Sequence, residues 1–343
     1  MIKIGIIGIG RMGISHHAIL NSNDKVKITA LADNSKFMLS IMKTYLDVSV
    51  YTSWQKMLEI EELDAIIVST PPTFHYEIIK GAFDSGLHVF VEKPFTVNLN
   101  EARELTSLFK GSGLINQVGY VNRFNDVFNS IHSLLNKGVI GEIIRFKSEM
   151  FANTISEPDD GGSSWRSSTE TGGGAVFELA SHAIDLVNYL IGEPDRVVGS
   201  SLNQIYSKNV EDAVSSTFLY KDGKSGSVYI NWCEYSYRKP ANKVEIFGTK
   251  GKIIADQHSF KIFMTTPNEE HGFRAGWNIR YITDVYRNAA IDIRGTEFSH
   301  QLAHFIDCIE IGNSENISSF SEGLRTHRII AKIFDNNSTN IVT

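Results

Sequence analysis

The chain has 343 residues, 42% of them hydrophobic and 21% charged, a balance that fills a packed interior and excludes a disordered polypeptide. A formal net charge of −6 offers no basic surface to DNA, RNA or anionic lipid, so no nucleic-acid partner is expected. One hydrophobic core is uncomfortable at this length, and two domains are expected, residues 1–121 and 122–343.

The two cysteines, Cys233 and Cys308, are far apart and form no C-x-x-C, which excludes a disulfide scaffold and a cysteine zinc site and fits a reducing compartment. No apolar run approaches the ~20 residues that span a bilayer. Met1-Ile2-Lys3-Ile4 leads straight into a strand instead of a signal-peptide layout. A cytoplasmic protein without a membrane partner is expected.

In chain order, residues 2–7, 27–32, 65–69, 88–91 and 115–119 are short β-branched runs that predict buried strands. Between them, residues 13–21, 35–44, 73–85 and 100–110 carry the longer amphipathic period of helices. This alternation predicts a doubly wound α/β domain whose parallel sheet is covered on both faces. Beyond about residue 120 the texture changes. A helix over 126–137 and a strand over 142–151 precede a Gly/Ser/Asp-rich loop, 156–174, and a helix reaching about residue 191. Alternating strands follow from residue 196, among them 213–220, 225–233 and 243–247, with Lys221-Asp222-Gly223-Lys224 as the turn between the first two. Helices near 297–311 and 321–334 complete an α+β half with an antiparallel sheet.

Gly8-Ile9-Gly10-Arg11-Met12-Gly13 is a G-x-G-x-x-G placed directly after a strand and opening a helix. The first glycine permits the tight turn, the second lets backbone approach a pyrophosphate, and the third lets helix pack on strand. The helix N-terminus then offers free N–H groups to the phosphates. Asp33 ends the second strand about twenty residues further on, where a carboxylate accepts both ribose hydroxyls and repels a 2′-phosphate. Asn34 follows it in place of an arginine, so NAD is expected over NADP.

Three further segments carry a family likeness: Ser69-Thr70-Pro71-Pro72-Thr73-Phe74-His75, then Gly86-Leu87-His88-Val89-Phe90-Val91-Glu92-Lys93-Pro94, then Gly172-Gly173-Gly174 opening the helix of Glu178, His182 and Asp185. With the N-terminal glycines, Gln117-Val118-Gly119-Tyr120, Arg123-Phe124, Trp165-Arg166 and Gly248-Thr249-Lys250-Gly251, the ordered set resembles the Gfo/Idh/MocA family of NAD(P)-dependent sugar and polyol oxidoreductases. The resemblance covers nearly the whole chain. It implies a Rossmann domain followed by a domain with a large open, mainly antiparallel sheet, often used for homodimer or homotetramer contacts.

The resemblance also implies roles. Lys93 would bond the reacting oxygen, with Pro94 aiming it, and His182 would be the acid/base, with Glu178 its carboxylate partner on the substrate side. Glu178, His182 and Asp185 follow one another at four and three residues, a spacing that places them on one helix face, opposite Val176, Leu179, Ala183, Val187 and Leu190. Asp185 would orient or stabilise. Thr70, Pro71 and His75 would lie by the nicotinamide or its ribose, Glu92 by a ribose, and Trp165 and Arg166 would close over the cofactor. Tyr120 and Arg123, at the domain junction, have two readings: contact with substrate, or a core aromatic and a structural ion pair. Three departures stand out: Glu178 and Ala180 occupy positions where the family usually has Asp and Gly, and Pro72 replaces a frequent asparagine. No metal is expected, because the Glu/His pair has no third ligand nearby. His16, His17, His300 and His304 read as helix-face residues. The leading expectation is a dehydrogenase for a secondary hydroxyl of a cyclic polyol, sugar or sugar derivative. An NAD-recycling glycosidase and a non-catalytic sugar or nucleotide sensor are the alternatives on the same fold. Asp159, Asp160, Trp277, Asn278 and Arg280 are polar groups to which the sequence gives no position.

Overall fold

The structure, a computed structural model, describes residues 1–155, 165–312 and 316–337. Asp159 and Asp160 lie outside them. One compact unit comprises Met1–Val121 and Asn288–Leu324, and the other Asn122–Arg287 and the chain from Arg325 on.

The first unit winds as β1 (Ile2–Ile7), α1 (Arg11–Leu20), β2 (Val26–Ala32), α2 (Lys36–Tyr45), β3 (Ser49–Tyr51), α3 (Trp54–Ile60), β4 (Ala65–Val68), α4 (His75–Asp84), β5 (His88–Val91), α5 (Leu99–Phe109) and β6 (Asn116–Val118). The six strands form one parallel sheet in the order β3-β2-β1-β4-β5-β6, the doubly wound arrangement expected from the sequence. Side chains α2, α3 and α5 start on are Ser35, Ser53 and Asn98, each of which accepts a backbone N–H of the first turn. β3 and α3 are elements the sequence did not reveal: a three-residue strand is too short to display a period.

The second unit contains α6 (Asp126–Asn136), β7 (Ile143–Phe151), α7 (Ser181–Leu190), β8 (Arg196–Asn203), β9 (Ala213–Leu219), β10 (Ser225–Asn231), β11 (Ala241–Gly248), β12 (Gly251–Ala255), β13 (Ser259–Met264), β14 (Gly276–Tyr281) and α8 (Ile282–Val285). The last two helices of the chain are α9 (Thr296–Ile311) and α10 (Phe320–Asp335). The second sheet has eight strands in the order β14-β13-β12-β11-β7-β10-β9-β8. All its pairs are antiparallel except β10 with β7. One face packs under Phe128, Ile131, Ile184 and Val187 of α6 and α7. The register brings Tyr229, Phe247, Ile254, Phe263, Trp277 and Ile279 to the opposite face, where all are exposed, Phe263 edge-on to Trp277 at 5.4 Å.

Alternation along the central strands shows why the first sheet needs both faces covered. Ile66, Val68, Val89 and Val91 belong to one apolar cluster with Phe95, Leu105 and Phe109, while Ile67 and Phe90 point into the other. That second cluster contains Leu302, Phe305 and Ile306 of α9. Residues 288–324 therefore belong with the first unit, whereas the boundary read from the sequence left everything after 121 in the second. The cause is nonlocal: the apolar side of α9 covers a face that α1 alone leaves partly open, and residues near 318 bond β6, with Val118 N–H to Ser318 O at 2.8 Å and Ser318 Oγ to Val118 O at 2.7 Å. No helix among the described residues is long and apolar enough to cross a membrane, and both cysteines are buried and free.

Phe305→Ala removes a fully buried ring from this cluster and is expected to cost ~3–5 kcal/mol of the first unit's stability in chemical denaturation. A cost below ~1 kcal/mol would mean that α9 is not part of that core.

Candidate active site

The glycine loop after β1 is shaped by what lies against it. Gly8 has φ of +91°, and a Cβ there would run into the backbone of Ser69 and Thr70, while a Cβ on Gly13 would overlap Gly8 O. Ser69 Oγ donates to Gly8 O at 2.8 Å, tying the end of β4 to the loop. Above Gly10 the space is open. The first turn of α1 takes no side-chain cap, so its N–H groups face outward as an anion-binding end. Asp33 accepts the Ile9 N–H on Oδ2 at 2.6 Å and the Ser35 N–H on Oδ1 at 2.7 Å. Each oxygen keeps a second lone pair for a hydroxyl. Arg11 and Asn34 are exposed, and Met12 is half-buried.

The turn after β5 is built around two histidines. Lys93 is half-buried and joined to Pro94 by a cis peptide bond. His75, fully buried at the start of α4, directs Nδ1 at Pro94 O (3.0 Å) and Nε2 at Thr70 O (2.9 Å). Burial holds its pKa below the ordinary value while the two carbonyls pull the other way. A neutral ring donates to only one of them. His75 thus ties the end of β4 to the lysine turn and does not project toward a ligand. Pro71 is exposed, and the buried Thr70 Oγ1 has no hydrogen-bond partner among the described residues. Glu92 accepts from His16 Nε2 at 2.7 Å. His16, which the sequence reading left as a helix-face residue, is completely buried edge-on to Phe90. Its signal was its place one turn beyond Gly13, but nothing local named Glu92 as the partner.

In the second unit the segment entering α7 is not the continuous α-helix that a helical wheel assumes. Val176–Ala180 is a π-helical turn, and the Ser181 N–H reaches back to Val176 O. Glu178 lies inside this turn, and half-buried His182 lies just beyond it. Arg166 approaches Glu178 Oε1 with both Nε and Nη2 at 3.3 Å, and its guanidinium stacks 4.6 Å from the Trp165 ring. Val176, Leu179, Ala183, Val187 and Leu190 are buried as expected. Ahead of the turn, the carboxylate of Glu211 accepts the Val176 N–H at 2.8 Å, and burial pushes its pKa up to about 7. Neither the role of Glu211 nor the bond of its neighbour Asp212 to Trp232 could be recognised from the sequence, because their partners lie 35 and 20 residues away.

Asp185 is directed at Arg123, with contacts of 2.9 Å from Nε to Oδ2 and 2.8 Å from Nη2 to Oδ1, and both side chains are almost wholly shielded from solvent. The guanidinium also lies 5.4 Å from the Tyr189 ring. Of the two readings of Arg123, the geometry matches the structural ion pair, because burial leaves the guanidinium no solvent-facing side. Tyr120 is fully buried in an apolar cluster of the first unit. Trp277, Asn278 and Arg280 are on β14, with Asn278 buried and bonded to Arg274 O.

Comparison with known proteins agrees with this architecture. The family profile described as "Oxidoreductase family, NAD-binding Rossmann fold" matches residues 2–120, and "GFO/IDH/MocA C-terminal domain" matches residues 128–254. The chain belongs to the Gfo/Idh/MocA family of oxidoreductases. It is 33% identical over 176 residues to an uncharacterized oxidoreductase of Schizosaccharomyces pombe, covering 51% of this chain and about half, 47%, of that relative. It is 24% identical to the myo-inositol 2-dehydrogenase of Thermotoga maritima across 92% of this chain and 90% of that one. Among solved structures, levoglucosan dehydrogenase in complex with NADH and levoglucosan superposes with a TM-score of 0.86 at 20% identity, covering 98% of this chain and 96% of that one. The first unit's residues fit the dinucleotide that the family binds: uncapped N–H groups, open space over Gly10, an acceptor at Asp33 and the orphaned Thr70 hydroxyl.

Asp185→Ala leaves Arg123 as an uncompensated buried charge and is expected to cost ~3–5 kcal/mol in chemical denaturation. A cost below ~1 kcal/mol would show that the guanidinium finds water or another partner.

Proposed function

We propose that this protein is an NAD(H)-dependent dehydrogenase that interconverts a secondary hydroxyl and a ketone on a cyclic polyol, sugar or sugar derivative. The observation that carries the reading is the lysine turn. Lys93 stands at the carboxyl end of a central strand, its turn tied through His75 to Thr70, whose hydroxyl is buried without a partner among the described residues. The family and the ring polyol named for its Thermotoga relative support the substrate class.

Bound NAD would supply the hydride acceptor, and NADH the donor in reverse. Backbone N–H groups at Gly10, Arg11, Met12 and Gly13 would hold the pyrophosphate. Asp33, with Asn34 beside it, would accept the ribose hydroxyls and disfavour a 2′-phosphate, which gives NAD the preference over NADP. Thr70, Pro71 and Glu92 would line the nicotinamide end. Lys93 Nζ would donate to the reacting oxygen and stabilise negative charge on it as the proton leaves. His182 would take that proton on a ring nitrogen, with Glu178, itself held by Arg166, accepting a neighbouring substrate hydroxyl.

NADH formation from a panel of inositols, free sugars and nucleotide sugars is expected with one of these classes. Lys93→Ala is expected to lower kcat by about 10²–10⁴-fold while fluorescence-detected NADH binding changes by less than about twofold. Near-normal turnover in that variant would overturn the assignment. NAD binding without turnover on any panel member would favour the NAD-recycling glycosidase or the sensor.

The exposed aromatic face of the second sheet supports self-association as a homodimer or homotetramer. Phe263→Glu with Trp277→Glu is expected to shift the sedimentation coefficient from oligomer to monomer. An unchanged coefficient would rule out that face as the contact.

A further inference from the structure

Glu211 lies outside every motif in the sequence, yet the segment that carries Glu178 and His182 is fastened to it. Its carboxylate accepts the Val176 N–H at 2.8 Å, at the first residue of the π-helical turn, and its carbonyl accepts the Ala175 N–H at 3.0 Å. Gly174, with φ of +93°, presses directly on the carboxylate, where a Cβ would overlap Glu211 Oε1. The same glycine donates its N–H to Arg166 O at 3.1 Å and accepts from the Glu178 N–H at 3.0 Å. Arg166 then returns to Glu178 through its guanidinium. Glu211 itself cannot drift. The next residue, Asp212, takes the N–H groups of Ile205, Tyr206 and Ser207 on Oδ2 and the Trp232 indole N–H on Oδ1 at 2.6 Å.

From this geometry we infer that Glu211 is a positioning residue for the acid/base segment: by fixing Val176 and Gly174 it selects the π-helical turn and thereby sets where Glu178 and His182 stand. A π turn holds one residue more than an α turn, so every side chain beyond it is rotated by about 100° from where an unbroken α-helix would put it. Without the Glu211 anchor the turn is free to relax to the α register, carrying His182 with it while the rest of the sheet stays folded.

The anchor is titratable. Burial and the neighbouring Asp212 charge raise the Glu211 pKa, the Val176 and Glu211 N–H groups oppose them, and the Arg166 guanidinium is engaged by Glu178. The folded chain holds a proton that the unfolded chain releases from its ordinary carboxyl value of 4.5, so this group's contribution to stability falls as pH rises from 4.5 to about 7.

The inference rests on the dehydrogenase reading for its kinetic arm only. The test compares wild type, Glu211→Ala and Glu211→Gln by peptide-resolved hydrogen exchange, NADH binding and turnover on the substrate that the panel identifies. Glu211→Ala is expected to raise exchange in residues 174–180 by about tenfold or more, with the sheet strands unchanged. NADH affinity should stay within about twofold, and kcat should fall by about tenfold or more, since misplacing a catalytic group by an ångström costs this much. Glu211→Gln keeps an acceptor for Val176 and should restore both exchange and kcat, while losing the decline in thermal midpoint between pH 4.5 and about 7. Unchanged exchange at residues 174–180, loosening spread evenly over the unit, or a Gln variant as impaired as Ala would overturn the inference. If wild type turns over nothing on the panel, the functional reading fails, and the exchange arm still decides the role of Glu211.

Discussion

In the six-stranded sheet the chain winds outward from β1 in one direction and from β4 in the other, so the connections leaving these two adjacent strands diverge to opposite faces. Their carboxyl ends are left with a crevice between them. The polar groups of the first unit's candidate site all lie on turns that leave the sheet at this end: the glycine loop after β1, Asp33 after β2, Thr70 after β4 and Lys93 after β5. The tight fit of Gly8 against Ser69 and Thr70 follows from the same constraint, since two strand ends at van der Waals distance leave no room for a Cβ. His75 and the His16–Glu92 pair are the lateral ties that keep these independent turns at fixed spacing.

The second unit solves a different problem. Its candidate catalytic groups lie on one helical segment, whose face and register must be imposed from outside, because intrinsic helix geometry would choose an α turn. Two anchors do this at opposite ends. Glu211 holds the start of the segment, and Arg123 holds Asp185 further along α7. Both bury ionisable groups, which burial alone would make unfavourable. A bidentate guanidinium matches Asp185, while Glu211 accepts the Val176 N–H and its raised pKa favours the neutral form; four donors hold the neighbouring Asp212.

What the sequence disclosed, and what it withheld, follows the range of the interactions. The glycine loop, Asp33 and the order of strands and helices were legible, because local spacing encodes them. The parallel sheet and the antiparallel second sheet followed from periodicity. The membership of α9 in the first unit was not legible, since an amphipathic helix does not say which sheet it covers. The π turn was hidden for a related reason. Val176 to Ser181 has an ordinary helical composition, and the carboxylate that holds its first N–H lies 35 residues further along the chain. The two readings of Arg123 could not be separated from sequence, because its partner Asp185 lies 62 residues away on the helix that also carries Glu178 and His182.

The departures from the family pattern acquire a physical context here. Glu178 is one methylene longer than the aspartate the resemblance led one to expect, and it is the residue that the Arg166 guanidinium reaches from an adjoining loop. That loop is itself bonded to Gly174, and Gly174 packs on Glu211. Glu178 is therefore linked through Arg166 and Gly174 to the anchor of the segment. Ala180 closes the π turn in a fully buried position, where its methyl group is packed against the core. A glycine there would loosen the turn through backbone entropy and the loss of that packing.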